Sequence, residues 1–174
     1  MRTLALTTCV AIFCSFAGVD MAPAQDATMG CASEHLPNAA QVLRCRGGVT
    51  IVAEDGARFT LQDRDQNGNV DAVDLQSKAV LVDAGKQHGK NRFEVTTPQA
   101  IAAVRGTKWA VDAQETRTSV LVLRGRVAVR RPAGAGQVVL GPGQGVDVEP
   151  GTDPLVVKTW PQARVAALLA RLGQ

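Results

Sequence analysis

Side chains that carry out catalysis are scarce in this sequence. It contains no tyrosine and only two histidines, His35 and His88, in 174 residues. His88 falls in the turn-like segment "GKQHGKN", where a solvated side chain is the expected role. The sequence has no G-x-S-x-G nucleophile elbow, no G-x-x-x-x-G-K-[ST] phosphate loop and no H-E-x-x-H zinc motif. We therefore predict a protein that is not an enzyme and has no cofactor.

Long apolar runs are absent except near the amino terminus. Arg2 precedes an apolar stretch at residues 4–19, and the small-residue sequence Ala22-Pro23-Ala24 follows it. An uncleaved membrane anchor would need about 20 consecutive apolar residues, and polar residues interrupt this stretch. The order of basic, apolar and small residues instead predicts a signal peptide, residues 1–24, cleaved after Ala24. We expect a periplasmic or secreted protein without a membrane span in its mature form.

Neither sign of charge dominates the chain. The formal net charge is +3, and the basic residues are spread along the sequence without forming a block. Nucleic acid is therefore not an expected partner.

Cysteine is rare after the predicted cleavage site, where only Cys31 and Cys45 remain. An even pair of cysteines in an oxidising compartment predicts a disulfide, which would close the segment 25–48. Closing a loop of about 15 residues contributes about 3 kcal/mol in the chain-entropy model. The alternative is a metal site that uses Cys31, His35 and Cys45, although these three ligands have no recognised metal-binding spacing.

Short β-branched runs separated by turn residues make up most of the remaining chain. This pattern predicts an all-β domain at residues 49–150. The run "TSVLVL" is apolar at four successive positions, which predicts a central strand covered on both faces. Glu54-Asp55-Gly56 predicts a tight hairpin turn between "VTIVA" and "ARFTLQ". The other predicted strands are "VDAVDL", "KAVLVDA", "RFEV", "TKWAVDA", "RVAVR", "QVVL" and "GVDVEP".

Alternation within these strands predicts which side chains are buried. In "TKWAVDA" a period of two places Trp109 in the core with Thr107 and Val111, and it places Lys108 on the opposite face. The same rule predicts inward positions for Phe93, Val95, Val127 and Val129, and solvent-facing positions for Arg126 and Arg130.

The C-terminal extension, residues 151–174, changes to a helical period. Thr159 and Gln162 predict a capping box, with Pro161 in the first turn. We expect this short amphipathic helix to pack on its own sheet, and docking on a partner is the alternative. Its apolar face would be formed by Val165, Leu168, Leu169 and Leu172.

One stretch, "DRDQNGNVDAVD", has the spacing of a calcium loop. Oxygen ligands at alternate positions can converge on one cation when a glycine, here Gly68, allows a sharp turn. The flanking segments are typical of strands, however, whereas calcium loops of this kind join helices. A hairpin turn at Asn67-Gly68 is therefore the alternative. The candidate ligands are Asp63, Asp65, Asn67, Asp71 and Asp74.

Four motifs follow one another in the second half of the chain. They are Thr97-Pro98, then "VRGTKWAV" from Val104 to Val111, "RGRVAV" from Arg124 to Val129, and "LGPGQ" from Leu140 to Gln144. In this order and spacing they resemble the FecR domain, the periplasmic sensory part of bacterial iron-transport regulators. The resemblance covers about residues 45–150 and is stronger after Arg92.

The resemblance implies an antiparallel, solenoid-like β domain in which these motifs are structural. Pro98 separates two strands because it lacks a ladder donor. Gly106 allows a turn, and Arg105 would bond buried carbonyls or a carboxylate. The remaining motif residues are Thr97, Thr107, Trp109 and Gly125.

The regulators also carry a sigma-factor-binding region and a membrane helix, and neither is evident in this sequence. The resemblance therefore implies a free-standing exported domain that binds an envelope protein, such as the periplasmic module of a surface receptor, or a glycan. A calcium-dependent adhesive or structural envelope module is a second hypothesis. An enzyme that uses Asp112 and Glu115 as an acid pair is a third.

Overall fold

The computed structural model describes residues 29–38, 40–85, 92–134 and 136–174, so the predicted signal peptide and His88 lie outside the described residues. The described residues form thirteen strands, one short 3-10 turn at Arg46–Gly48 and one helix. The predicted all-β fold with a short C-terminal helix is confirmed. The strands are β1 Cys31–His35, β2 Gln41–Cys45, β3 Val49–Ala53, β4 Arg58–Gln62, β5 Ala72–Ala84, β6 Phe93–Thr96, β7 Ile101–Val104, β8 Lys108–Ala113, β9 Thr118–Arg124, β10 Val127–Arg130, β11 Gln137–Leu140, β12 Gln144–Val148 and β13 Lys158–Thr159, and the helix is α1 Gln162–Arg171.

Two sheets share the long strand β5. The helix-side sheet has the order β1-β2-β3-β5-β8-β9-β12-β13 and uses the second half of β5. The open sheet has the order β4-β5-β6-β7-β10-β11 and uses the first half. Every pair is antiparallel except β5 with β6, which is parallel. The predicted strand "TSVLVL" is β9, which is covered on both faces, but β5 rather than β9 occupies the centre of the fold.

The predicted hairpin at Glu54-Asp55-Gly56 is wrong. Gly56 has the expected positive φ of +67°, but β3 and β4 pair with different halves of β5 instead of with each other. The turn holds the bend in β5 at Lys78, whose φ is +65°. The Lys78 ammonium donates to the Asp55 carbonyl, and the backbone N–H of Ala79 donates to the Glu54 carboxylate at 3.0 Å. Two predicted strands, "VDAVDL" and "KAVLVDA", are consequently one bent strand.

The main core lies between the two sheets, and its residues follow the predicted alternation. Trp109 is fully buried and contacts Phe93 edge to face, with ring centroids 5.8 Å apart. Val111 and Val95 also point into this layer. Burial of these aliphatic and aromatic side chains is the main force that holds one sheet on the other.

A second, smaller core lies between the outer face of the helix-side sheet and α1. Leu168 and Leu172 of the helix region pack with Trp160, Ala110 and Leu121. Ala110 and Leu121 belong to the strand faces that point away from the main core, so this sheet is covered on both sides. The helix thus packs on its own sheet, as expected.

The predicted capping box is wrong. The residue before the helix is Pro161, and no side chain caps it. Thr159 is not available for capping because it belongs to β13, where it pairs with Gln144.

Two arginines fix α1 to the sheet beneath it. Arg164 binds both oxygens of Asp147, at 2.5 and 3.0 Å, and its guanidinium lies 3.5 Å from the centroid of the Trp160 ring. Burial raises the pKa of Asp147, but hydrogen bonds from Arg164 and Ser119 outweigh that effect and hold this pKa below its ordinary value. At the other end of the helix, Arg171 binds the Asp112 carboxylate with two hydrogen bonds, at 2.9 and 3.0 Å.

Candidate binding site

The outer face of the open sheet has no cover among the described residues. On β6, β7, β10 and β11, alternate side chains enter the main core, and the others point outward. Val95 and Val129 are fully buried, whereas Val139 on β11 is 55% exposed. Because side chains alternate along each strand, the open sheet has one buried face and one accessible outer face.

A groove of about 510 Å³ runs across this outer face. Its floor includes Ala103 and Ala128, which are cross-strand neighbours on β7 and β10. Their small side chains leave a hollow, and Ile101 and Val139 also line the groove. Among the described residues that line it, none is aromatic.

Three arginines lie side by side at one end of the groove. The register pairs Phe93 with Val104 and Val104 with Val127. One residue further along the three strands come Arg92, Arg105 and Arg126, all of which line the groove. We call these three residues the arginine row.

The arginine row has no counter-charge within the described part of the chain. All three residues are exposed, and none of the three guanidinium groups makes an ion pair or a side-chain hydrogen bond there. Glu94 is the one carboxylate among the described residues that line the groove, and Arg64 binds it at 2.6 Å. A fourth arginine, Arg130, also lines the groove. The groove therefore carries an excess of positive charge.

The sequence did not reveal this row. Solvent exposure was predicted for Arg126 from alternation, and the structure has Arg126 exposed. Its position next to Arg105 and Arg92 depends on the strand order β6-β7-β10, which the sequence pattern does not provide. Arg105, for which the sequence suggested bonds to buried groups, is exposed.

Thr107 makes the bonds that the sequence suggested for Arg105. It is fully buried, and its hydroxyl lies 3.1 Å from the Arg105 carbonyl and 3.2 Å from the Arg126 carbonyl. Gly106 has a φ of +60° at this corner. Gly125 packs against Thr107, because a Cβ at Gly125 would lie 2.6 Å from the Thr107 hydroxyl oxygen. This contact positions the backbone that carries Arg105 and Arg126.

The Thr97-Pro98 motif forms the turn between β6 and β7. Thr97 is 3% exposed, and its hydroxyl accepts from the Ala100 N–H at 2.9 Å. The same hydroxyl lies 2.8 Å from that of Thr118, which begins β9 in the helix-side sheet. Pro98 is exposed in the turn. The motif thus ties the β6–β7 hairpin of the open sheet to the other sheet.

The predicted calcium ligands are only partly brought together. The loop connects β4 and β5, so its flanks are paired strands. Carboxylate oxygens of Asp63, Asp65 and Asp71 lie within 4.8 Å of one another. Asp74 lies within β5 and accepts a hydrogen bond from Gln76 at 2.5 Å. The Asn67 side-chain oxygen accepts from the Asn69 backbone N–H at 2.9 Å.

Backbone N–H groups already bond to all three clustered carboxylates, and Asp65 accepts from the Asn67 N–H at 3.3 Å. Asp63 accepts from Asn67 at 3.1 Å and from Gly68 at 2.7 Å. Asp71 accepts from the Arg64 N–H at 3.1 and 3.2 Å. The loop is thus ordered by its own hydrogen bonds.

Cys31 and Cys45 form a disulfide with Cα atoms 3.9 Å apart. They are opposite each other in the β1–β2 pair, whereas His35 pairs with Gln41 at the other end. The alternative metal site is therefore wrong, because both thiols are used in the bond.

The remaining candidates from the sequence do not form a catalytic arrangement in the part of the chain that the structure describes. Asp112 is 6% exposed and bound by Arg171, while Glu115 is exposed in the turn between β8 and β9.

The described residues thus form an all-β domain with a disulfide across the β1–β2 pair and a charged groove on the open sheet. The sequence profile of the FecR family, described as FecR protein, matches residues 36–128. The protein therefore belongs to the FecR family, which is regulatory rather than catalytic. This match begins earlier and ends earlier than the resemblance seen in the sequence.

Two similar solved structures are crystal structures, at 1.65 and 2.50 Å resolution, of a proposed anti-sigma factor from Parabacteroides distasonis. They are 20% and 19% identical to this chain, with TM-scores of 0.50 and 0.51. In both cases 80% of this chain and 60% of the other are covered, so this chain spans less than two thirds of their length. No curated protein matches. Among the described residues, no helix is long and apolar enough to cross a membrane.

Proposed function

We propose that the protein is a sensory or regulatory domain of the cell envelope that acts by binding another envelope protein. Membership of the FecR family and the likeness in fold to a proposed anti-sigma factor support the regulatory class. The disulfide is consistent with a location outside the cytoplasm, where such bonds persist. The periplasmic module of a surface receptor is a partner of this kind.

The observation that carries the proposal is a difference between the outer faces of the two sheets. One face is covered by α1, and the other carries a charged groove without a cover among the described residues. Exposed surfaces that combine apolar and charged groups in this way are typical of binding sites. A neutral glycan fits the groove less well than a protein does, because the described residues that line the groove include no aromatic ring to stack on a sugar.

Site-specific photo-crosslinking in the native envelope tests this proposal. A photo-reactive amino acid replaces Val139, which lines the groove and is 55% exposed. The matched control replaces Ala166, which is exposed on α1. We expect a discrete protein adduct from position 139 and none from position 166, with the partner identified by mass spectrometry. Adducts from position 166 alone, or from neither position, would overturn the proposal.

A calcium-dependent adhesive or structural module is the second candidate function. The convergence of Asp63, Asp65 and Asp71 within 4.8 Å favours it. This function requires that calcium bind the folded protein and raise its melting temperature.

A further inference from the structure

The arginine row is an energetic cost to the isolated protein. Like charges on neighbouring strands repel one another, and such pairs are destabilising when they are directly opposite. Over the helix-side sheet, by contrast, the α1 residues Arg164 and Arg171 are both paired with carboxylates. Among the described residues no carboxylate pairs with Arg92, Arg105 or Arg126, so all three exposed guanidinium groups are available to a negatively charged partner.

We infer that the groove binds an extended, acidic segment of a protein partner, with the partner's carboxylates paired to the arginine row. This inference rests on the proposed function and names the chemistry of the partner. Arginine is suited to the task because its planar guanidinium binds a carboxylate with two parallel hydrogen bonds.

The dimensions of the row fit an extended peptide. Neighbouring strands are about 4.8 Å apart, so three arginines on three adjacent strands span about 10 Å. Alternate residues of an extended chain are about 7 Å apart and point to the same side. Two acidic residues at alternate positions can therefore contact the arginine row at the same time. The long arginine side chains can bend to make up the difference of about 3 Å between the two spacings.

The floor of the groove favours a protein segment over other anions. The hollow at Ala103 and Ala128 accepts small apolar side chains, which a phosphate group or a sulfated sugar does not supply. A peptide that carries carboxylates along one flank and small apolar residues along the other satisfies both parts of the groove.

The inference is tested with two synthetic peptides of about ten extended residues. One has glutamate at alternate positions between valines, and the other has glutamine in place of each glutamate. Binding to the mature protein is measured by fluorescence anisotropy at low and high salt. We expect the glutamate peptide to bind at least tenfold more tightly, with an affinity that falls as ionic strength rises.

Variants then locate the binding. Loss of one charge-assisted contact weakens binding by about tenfold. We therefore expect Arg105→Gln to weaken binding of the glutamate peptide by about tenfold, and the double variant Arg105→Gln with Arg126→Gln to weaken it by about a hundredfold. The matched control, Arg44→Gln with Arg46→Gln, removes the same charge from exposed positions outside the groove and leaves binding within about twofold. The melting temperatures of the groove variants should be unchanged or higher, because these substitutions reduce the repulsion between neighbouring arginines and break no hydrogen bond or ion pair among the described residues.

Three results would overturn the inference. They are equal binding of the two peptides, equal effects of the groove and control variants, and Arg105-dependent binding of phosphatidylglycerol vesicles or sulfated dextran without binding of the peptide. The proposed function is judged separately, because crosslinking from position 139 does not depend on the charge of the partner. A crosslinked partner that is unaffected by Arg105→Gln would overturn this inference and leave the proposed function standing.

Discussion

The outer faces of the two sheets use arginine in opposite ways. On the helix-side sheet, Arg164 and Arg171 bind carboxylates and hold α1 over an apolar layer. On the open sheet, the arginine row binds no carboxylate among the described residues, and the groove beside it has no helix above it. Arg164 and Arg171 lie on α1, whereas the arginine row lies at the ends of β6, β7 and β10, so the two outer faces differ both in where their arginines come from and in whether those arginines have carboxylate partners.

The main core is common to both sheets, so its disruption is expected to have the largest effect. Trp109→Ala should lower the free energy of unfolding by about 3 to 5 kcal/mol, because it leaves a cavity next to Phe93 between the sheets. Urea unfolding of the purified protein measures this change, provided that the slope of the transition is the same in both proteins.

Lys108→Ala is the control for Trp109→Ala. Lys108 is the preceding residue of β8 and is half-buried on the opposite face, so its truncation should change the free energy of unfolding by no more than about 0.5 kcal/mol. Equal losses in the two variants would contradict the assignment of Trp109 to the core shared by the sheets.

A pair of arginine variants tests the comparison between the outer faces directly. Arg171→Gln should lower the free energy of unfolding by about 1 to 2 kcal/mol, because the Asp112 side chain, 8% exposed, loses its charged partner and Glu54 loses the same one. This estimate is below that for a fully buried pair because the Arg171 side chain is 39% exposed. Urea unfolding again provides the measurement.

Arg105→Gln is the matched variant on the open sheet. It removes an arginine without a partner among the described residues, so the free energy of unfolding should stay within about 0.5 kcal/mol or rise. If Arg105→Gln were as destabilising as Arg171→Gln, the arginine row would have a structural role and the contrast between the faces would fail.

Features set by neighbouring residues were predictable from the sequence. The inward phase of Trp109 follows from alternation over a few positions, and the positive φ of Gly56 follows from the local turn sequence. The disulfide followed from the number of cysteines and the compartment. Each of these inferences needs only local sequence or composition.

Features set by long-range pairing were not predictable. Glu54 and Gly56 look like a hairpin turn, but they hold the bend in β5 because β3 and β4 pair with separate halves of that strand. Thr159 looks like a helix cap, but β13 uses it. The arginine row exists only because β6, β7 and β10 are neighbours, which a single sequence does not indicate.

The smallest expected effect concerns the acidic loop at the other edge of the open sheet. We predict that calcium leaves the melting temperature unchanged, because Asp74 lies in β5 away from the three clustered carboxylates, and Asp63 and Asp71 already accept backbone hydrogen bonds. Calcium sites usually have six to eight oxygen ligands. Here both carboxylate oxygens of Asp63 and of Asp71 are already occupied by backbone N–H groups. Differential scanning calorimetry with and without calcium measures the effect.

A real site would be easy to detect, because a ligand at 100 times its dissociation constant stabilises the folded state by about 2.7 kcal/mol. Asp63→Ala should lower the melting temperature equally with and without calcium, since it removes the acceptor for the N–H groups of Asn67 and Gly68. Asp74→Ala is the second variant, because an EF-hand-like site would require that residue. A calcium-dependent stabilisation that both variants abolish would contradict the prediction. It would mean that the loop rearranges around the ion, and it would give the open sheet a second binding element, in favour of the adhesive or structural function.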